Sequence, residues 1–175
     1  MCISKSRREE IRNLARAVAY IVFKESYPVD LSKIIEKFEL KLYEADLDKF
    51  YPGKNISGIL RVEGEIKEIY INNAHADTRS KFTIAHELGH FFLHEDILRK
   101  KGKIISFRGN YQNMDETIEK EADLFAAELL MPKDIMYEII KDESKNNLEY
   151  LSKHFGVSKP AMSRRIEELN AEQRG

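Results

Sequence analysis

The stretch TIAHELGHFFLH, Thr83–His94, decides how the rest of the chain is read. Its apolar residues Ile84, Leu88 and Phe91 recur at helical spacing, so a helix with one buried face is expected. Four residues on a helix advance by about 400°, so His86 and His90 leave nearly the same face, one turn apart. At that separation two imidazoles can converge on a single tetrahedral ion. Glu87 stands beside the first of them, placed to touch a water in such a site without itself binding the metal. Gly89 leaves the backbone bare between the histidines, where another segment can approach closely.

This is the H-E-x-x-H arrangement of zinc peptidases. Three specified residues also recur by chance in roughly one chain in a hundred of this length, so the pattern needs a partner elsewhere. A catalytic zinc takes three protein ligands and keeps a fourth position for water. His94 is eight residues from His86, about 12 Å along a continuous helix, too far to share one ion. The segment IEKEADLFAAELLMP, Ile118–Pro132, offers a better third ligand. Indexed as a helix, Ile118, Ala122, Phe125 and Leu129 form an inward stripe. Glu119, Asp123 and Ala126 lie along its edge, and Glu121 and Glu128 fall on the opposite side, expected to be solvated. Glu119 is therefore the carboxylate expected to meet a core-facing metal. Asp123, one turn on, can accept a hydrogen bond from the second nitrogen of a ligating histidine and fix its tautomer. The competing reading, acids decorating a surface helix, is favoured only where no HELGH accompanies them.

Composition narrows the class of protein. A formal net charge of −1, with 34% charged residues, argues against a polybasic binder of nucleic acid or membrane, though not against a local basic patch. The single cysteine, Cys2, cannot form an internal disulfide, which points to an intracellular protein. The opening MCISKSRREEIRNLARAVAYIVF alternates charged with apolar residues and has no signal-peptide core. No stretch is long and apolar enough to span a bilayer, so the expected location is cytoplasmic, away from membranes.

No repeat, low-complexity run or flexible linker divides the chain. The reading is of a domain over residues 1–145 and a C-terminal helix-turn-helix-like segment over 146–175, packed on the same domain. An amphipathic helix is expected from Lys5 to Glu25, and a short one after Asp30, a good N-cap. ISGILRV and IKEIYINN read as strands joined by a tight turn at EGE. Helix follows from Thr78 to His94, then a loop with one strand in KKGKIISFRGNYQN, then a helix capped by Asp115. Pro132 opens another helix, and two short helices close the chain. The expected fold class is α+β, helix-dominated, around a small antiparallel sheet.

HELGH, followed by EKEADLFAAELLMP and then LSKHFGVSKPAMSRRIEEL, resembles the ImmA/IrrE family of metallopeptidases over roughly Asn55 to Leu169. The resemblance implies a zincin-like domain holding one Zn2+ per chain. His86, His90 and Glu119 would be the ligands and Glu87 the catalytic acid/base. The family's third ligand is the glutamate four positions before the Asn/Asp of its helix, here Glu119 before Asp123. It also implies a protein substrate, a helix-turn-helix repressor in the same cell. A narrow specificity is expected, because a broad protease without a secretion signal or pro-segment would threaten its own cell. Two histidines and a carboxylate accept several metals, so zinc is not fixed by the donors alone. For a second oxyanion donor, His75, His94, Arg108 and Tyr111 are all chemically able, and the sequence does not choose among them.

The same C-terminal segment supports an alternative of another class, a DNA-binding regulator with Arg164 and Arg165 on the second helix of a helix-turn-helix. Against it, Glu167, Glu168 and Glu172 follow at once. A purely structural zinc site is a weaker reading, since such sites favour four protein ligands rich in cysteine.

Overall fold

The protein's structure, a computed structural model, describes residues 3–23, 27–52, 56–73, 77–101, 103–107 and 116–173. Helix α1, Lys5–Phe23, turns Ile11, Ala15, Val18 and Ala19 into the core, the spacing its sequence dictates. Asp30 caps α2, Leu31–Lys37, by accepting from the Ser32 amide at 3.1 Å. The chain leaves α2 with Glu39 at φ 57° and the Leu40 amide bonded back to the Ile35 carbonyl, a left-handed stop made without glycine.

Strand β1, Lys41–Ala45, and the short helix α3, Leu47–Phe50, follow. Strands β2, Ile56–Glu63, and β3, Ile66–Asn72, form the expected hairpin, with Gly64 at φ 58° in its turn. Helix α4, Asp77–Leu93, carries the HELGH stretch. After α5, Glu95–Lys101, strand β4, Lys103–Phe107, pairs antiparallel with β2. Helices α6, Glu116–Leu130, and α7, Lys133–Ile140, come next, with Pro132 immediately before α7. Helix α8, Leu148–Phe155, is capped by Asn147 and stopped by Gly156 at φ 62°, and α9, Lys159–Gln173, ends the described chain.

The fold is α+β and dominated by helix, as expected. The sheet differs from expectation in one strand. Its order is β1-β3-β2-β4, and the three strands from β2 onward are antiparallel, but β1 joins β3 in parallel. Four of the five β1 residues are exposed, so it carries no buried periodicity that a sequence reading can detect.

Helix α4 packs on β2 and β3 and also against α6, while α6 packs against α1 as well as α4. A helix with partners on two sides has two inward faces, which explains a correction. Glu121 and Glu128, expected on a solvated face of α6, are both buried. Glu121 receives Arg7 of α1, and Glu128 receives Arg165 of α9. Among the described residues no helix is long and apolar enough to cross a membrane.

Candidate metal centre

Helices α4 and α6 bring the expected donors together. The His86 and His90 Nε2 atoms lie 3.0 Å apart, and Glu119 places its Oε2 3.1 Å from the first and its Oε1 3.3 Å from the second. All three residues are buried. Atoms bound at about 2.0–2.1 Å to a tetrahedral ion stand roughly 3.4 Å apart, so this cluster is close to the required spacing. It also fits an ion by its own chemistry. The buried Glu119 Oε1 accepts no hydrogen bond from any described residue, although an imidazole nitrogen faces it.

His86 and Glu119 favour positive charge in the cluster, and His90 opposes it. Burial opposes the charging of His86, but its hydrogen bonds to Asp123 and Glu119 prevail and raise its pKa to about 10. Burial holds His90 down to about 4. Glu119 is lowered to about 2, against its burial, by the same two imidazoles. A divalent cation held there would supply that positive charge, with both imidazoles as neutral donors.

Asp123 lies where the helical indexing put it. Its Oδ1 is 2.8 Å from His86 Nδ1, so the ring donates there, which leaves Nε2 as the nitrogen a cation in the cluster would take. His94 stands outside the three-donor group. It follows the last residue of α4, is buried, and sets its Nδ1 2.9 Å from His90 Nδ1. His75, Arg108, Tyr111 and the cap residue Asp115 lie outside the described residues.

Two glycines make the approach possible. A Cβ on Gly89 would stand 2.9 Å from the Ala122 Cα and 3.0 Å from its carbonyl oxygen, so α6 crosses α4 directly on this residue. That close crossing carries Glu119 to the histidines. For a helix interior, Gly→Ala is ordinarily favourable by about 1 kcal/mol. Gly89→Ala is expected to do the opposite, costing about 1–3 kcal/mol through overpacking and weakening metal binding as Glu119 is pushed outward. Chemical unfolding and metal titration of the variant check both. A more stable variant with unchanged metal affinity would show the crossing to be loose.

The second glycine escaped the sequence reading. Gly58 sits beside a bulge in β2, where Ser57 is the extra residue against β4. A Cβ there would be 2.9 Å from Thr83 Cγ2 and would overlap the Glu87 carboxylate. An isolated glycine inside the strand pattern ISGILRV is the signal that marks such an approach.

The family that the chain matches places it among metallopeptidases, and a buried cluster of three donors that could hold a metal ion accords with this. The chain belongs to the peptidase family of the IrrE N-terminal-like domain, which it matches over residues 35–167. It is similar to Metallopeptidase ImmA of Bacillus subtilis (strain 168), 27% identical over 121 residues, which cover 66% of this chain and 69% of that protein. Among solved structures it resembles a Mycobacterium tuberculosis transcriptional regulator with a TM-score of 0.56 and 14% identity, a likeness of fold. That match covers 93% of this chain and 47% of the regulator, so the chain spans about half of its length.

Proposed function

We propose that the chain is a zinc-dependent endopeptidase that acts in the cytoplasm on one intracellular protein, a helix-turn-helix repressor. The convergence of His86, His90 and Glu119, with Glu87 next to the first ligand on α4, carries this reading. The family membership supports it.

In this reading the two imidazoles and the Glu119 carboxylate hold one Zn2+. The ion supplies Lewis acidity, which polarises the scissile carbonyl and makes water a nucleophile at neutral pH. Glu87 takes the proton of the attacking water and passes it to the departing amine. Gly58 leaves room for the Glu87 carboxylate, and Asp123 keeps His86 in the tautomer that offers Nε2. Burial of the centre strengthens these interactions relative to water.

DNA binding by the C-terminal helices is the alternative. Of the two arginines named on its second helix, Arg165 is buried and donates to Glu128 and, at 3.1 Å, to the Met131 carbonyl, while Arg164 is exposed. Elemental analysis of the purified chain is expected to find one zinc per chain. Incubation with helix-turn-helix repressors from neighbouring genes is expected to yield discrete fragments by mass spectrometry. A chelator should abolish cleavage and added Zn2+ restore it. A chain that takes up no metal from metal-replete buffer would end the peptidase reading, and salt-dependent operator binding would favour the alternative.

A further inference from the structure

The two histidines of the centre are oriented by different devices, and the second device leads out of the centre to the N-terminal helix. We propose that His94 is a positioning residue that orients His90, and that Glu121 on α6 and Arg7 on α1 hold His94 in place. The inference rests on the reading of His86, His90 and Glu119 as metal ligands.

The geometry admits one order of donors. His90 turns Nε2 to the cluster, 3.0 Å from His86 Nε2 and 3.3 Å from Glu119 Oε1. To offer a lone pair there, a neutral imidazole must carry its proton on Nδ1. That atom is 2.9 Å from His94 Nδ1, and two ring nitrogens so close share one proton. His90 therefore donates and His94 accepts. His94 then carries its own proton on Nε2, which faces Glu121 Oε2 at 3.3 Å. Glu121 is gripped by Arg7 through two parallel bonds, Nε to Oε1 at 2.9 Å and Nη2 to Oε2 at 2.7 Å. A fork of this kind fixes the carboxylate in direction as well as in place.

His86 has a carboxylate directly behind it, whereas His90 has an imidazole, then a carboxylate, then a guanidinium. Both arrangements fix the tautomer that a ligand needs. The difference is reach. Arg7 lies before residue 35, where the family match begins, so the chain of bonds ties a helix outside the matched region to a ligand inside it. If His94 served packing alone, its acceptor nitrogen would be immaterial, and the Arg7–Glu121 pair would merely staple α1 to α6.

The test measures affinity for the metal alone, using metal-stripped full-length protein, a chromophoric chelator as competitor and Zn2+ or Co2+ as the probe. His94→Leu is expected to bind Zn2+ about 10–100-fold more weakly and to shift the visible absorption of the Co2+ form. His94→Asn, whose side-chain oxygen can stand where Nδ1 stood, should recover most of the affinity and the spectrum. Arg7→Gln, a change at a half-buried position that does not touch the donor cluster, should lose affinity by less and in the same direction. It keeps the test decisive if His94→Leu fails to fold. Unchanged Zn2+ affinity in Arg7→Gln and in folded His94→Leu would overturn the proposal. So would an Asn variant as weak as the Leu variant. A wild-type chain without metal affinity would instead bring down the ligand reading, and the inference with it.

Discussion

Glu87→Gln is expected to keep one metal per chain and to cleave its substrate about 10²–10⁴-fold more slowly, the usual worth of a positioned acid/base. The amide fills the same volume beside Gly58, and His86, His90 and Glu119 are left as they were. It cannot take a proton from water, nor return one to the leaving amine. The residue is buried in α4 next to His86, so substitution by a larger or charged group would confuse a chemical loss with a structural one. Metal content, unfolding and rate should be measured on the same preparation. A variant that loses metal along with activity would show Glu87 to support the centre. A variant that cleaves like wild type would remove it from the chemistry.

The second large effect lies away from the centre. Arg165→Met is expected to destabilise the fold by about 3–5 kcal/mol, the cost of breaking a buried ion pair from one side. Both side chains of the Arg165–Glu128 pair are at 0% exposure, and Arg12 is the other cation near Glu128, its Nε 3.6 Å from Oε2. Removing Arg165 leaves Glu128 in the interior with that longer contact and the Lys133 backbone amide, 3.3 Å from its Oε1. It also leaves the Met131 carbonyl without the guanidinium that reaches it. Arg165→Met with Glu128→Leu should recover much of the loss, because removing both charges removes the desolvation cost that each imposed. Arg12 keeps Glu172 and Glu9 as partners in that double variant. Denaturant unfolding of the single and double variants decides. Near-equal stability of wild type and Arg165→Met would mean that α9 is held by its buried Met162 and Leu169 and by the ion pairs of Glu172, without need of Arg165.

That pair also explains why a helix-turn-helix pattern does not imply a DNA-reading surface here. Leu151, Phe155, Met162 and Leu169 are buried, as either function requires of two packed helices. The distinction lies in Arg165, which points inward to α6 and thus serves the fold. Nothing in SRRIEEL separates an inward arginine from an outward one.

Much of the centre was legible because its key distances are local. His86, Glu87 and His90 take their relation from the 3.6-residue period, and Glu119 and Asp123 share one edge of α6 for the same reason. The strands of the hairpin, the cap at Asp30 and the bare backbone at Gly89 are equally properties of short segments. A helical wheel, however, ranks residues against a single core. Helix α6 meets α4 with one face and α1 and α9 with others, so Glu121 and Glu128 are buried by neighbours more than a hundred residues before them or some forty after. The parallel placing of β1 rests on β3, and the burial of His94 on contacts that reach Glu121 and, through it, Arg7. Periodicity determined which groups share a face. Only the tertiary structure decided what each face meets, because a charge is buried or solvated according to partners that lie far off in the chain.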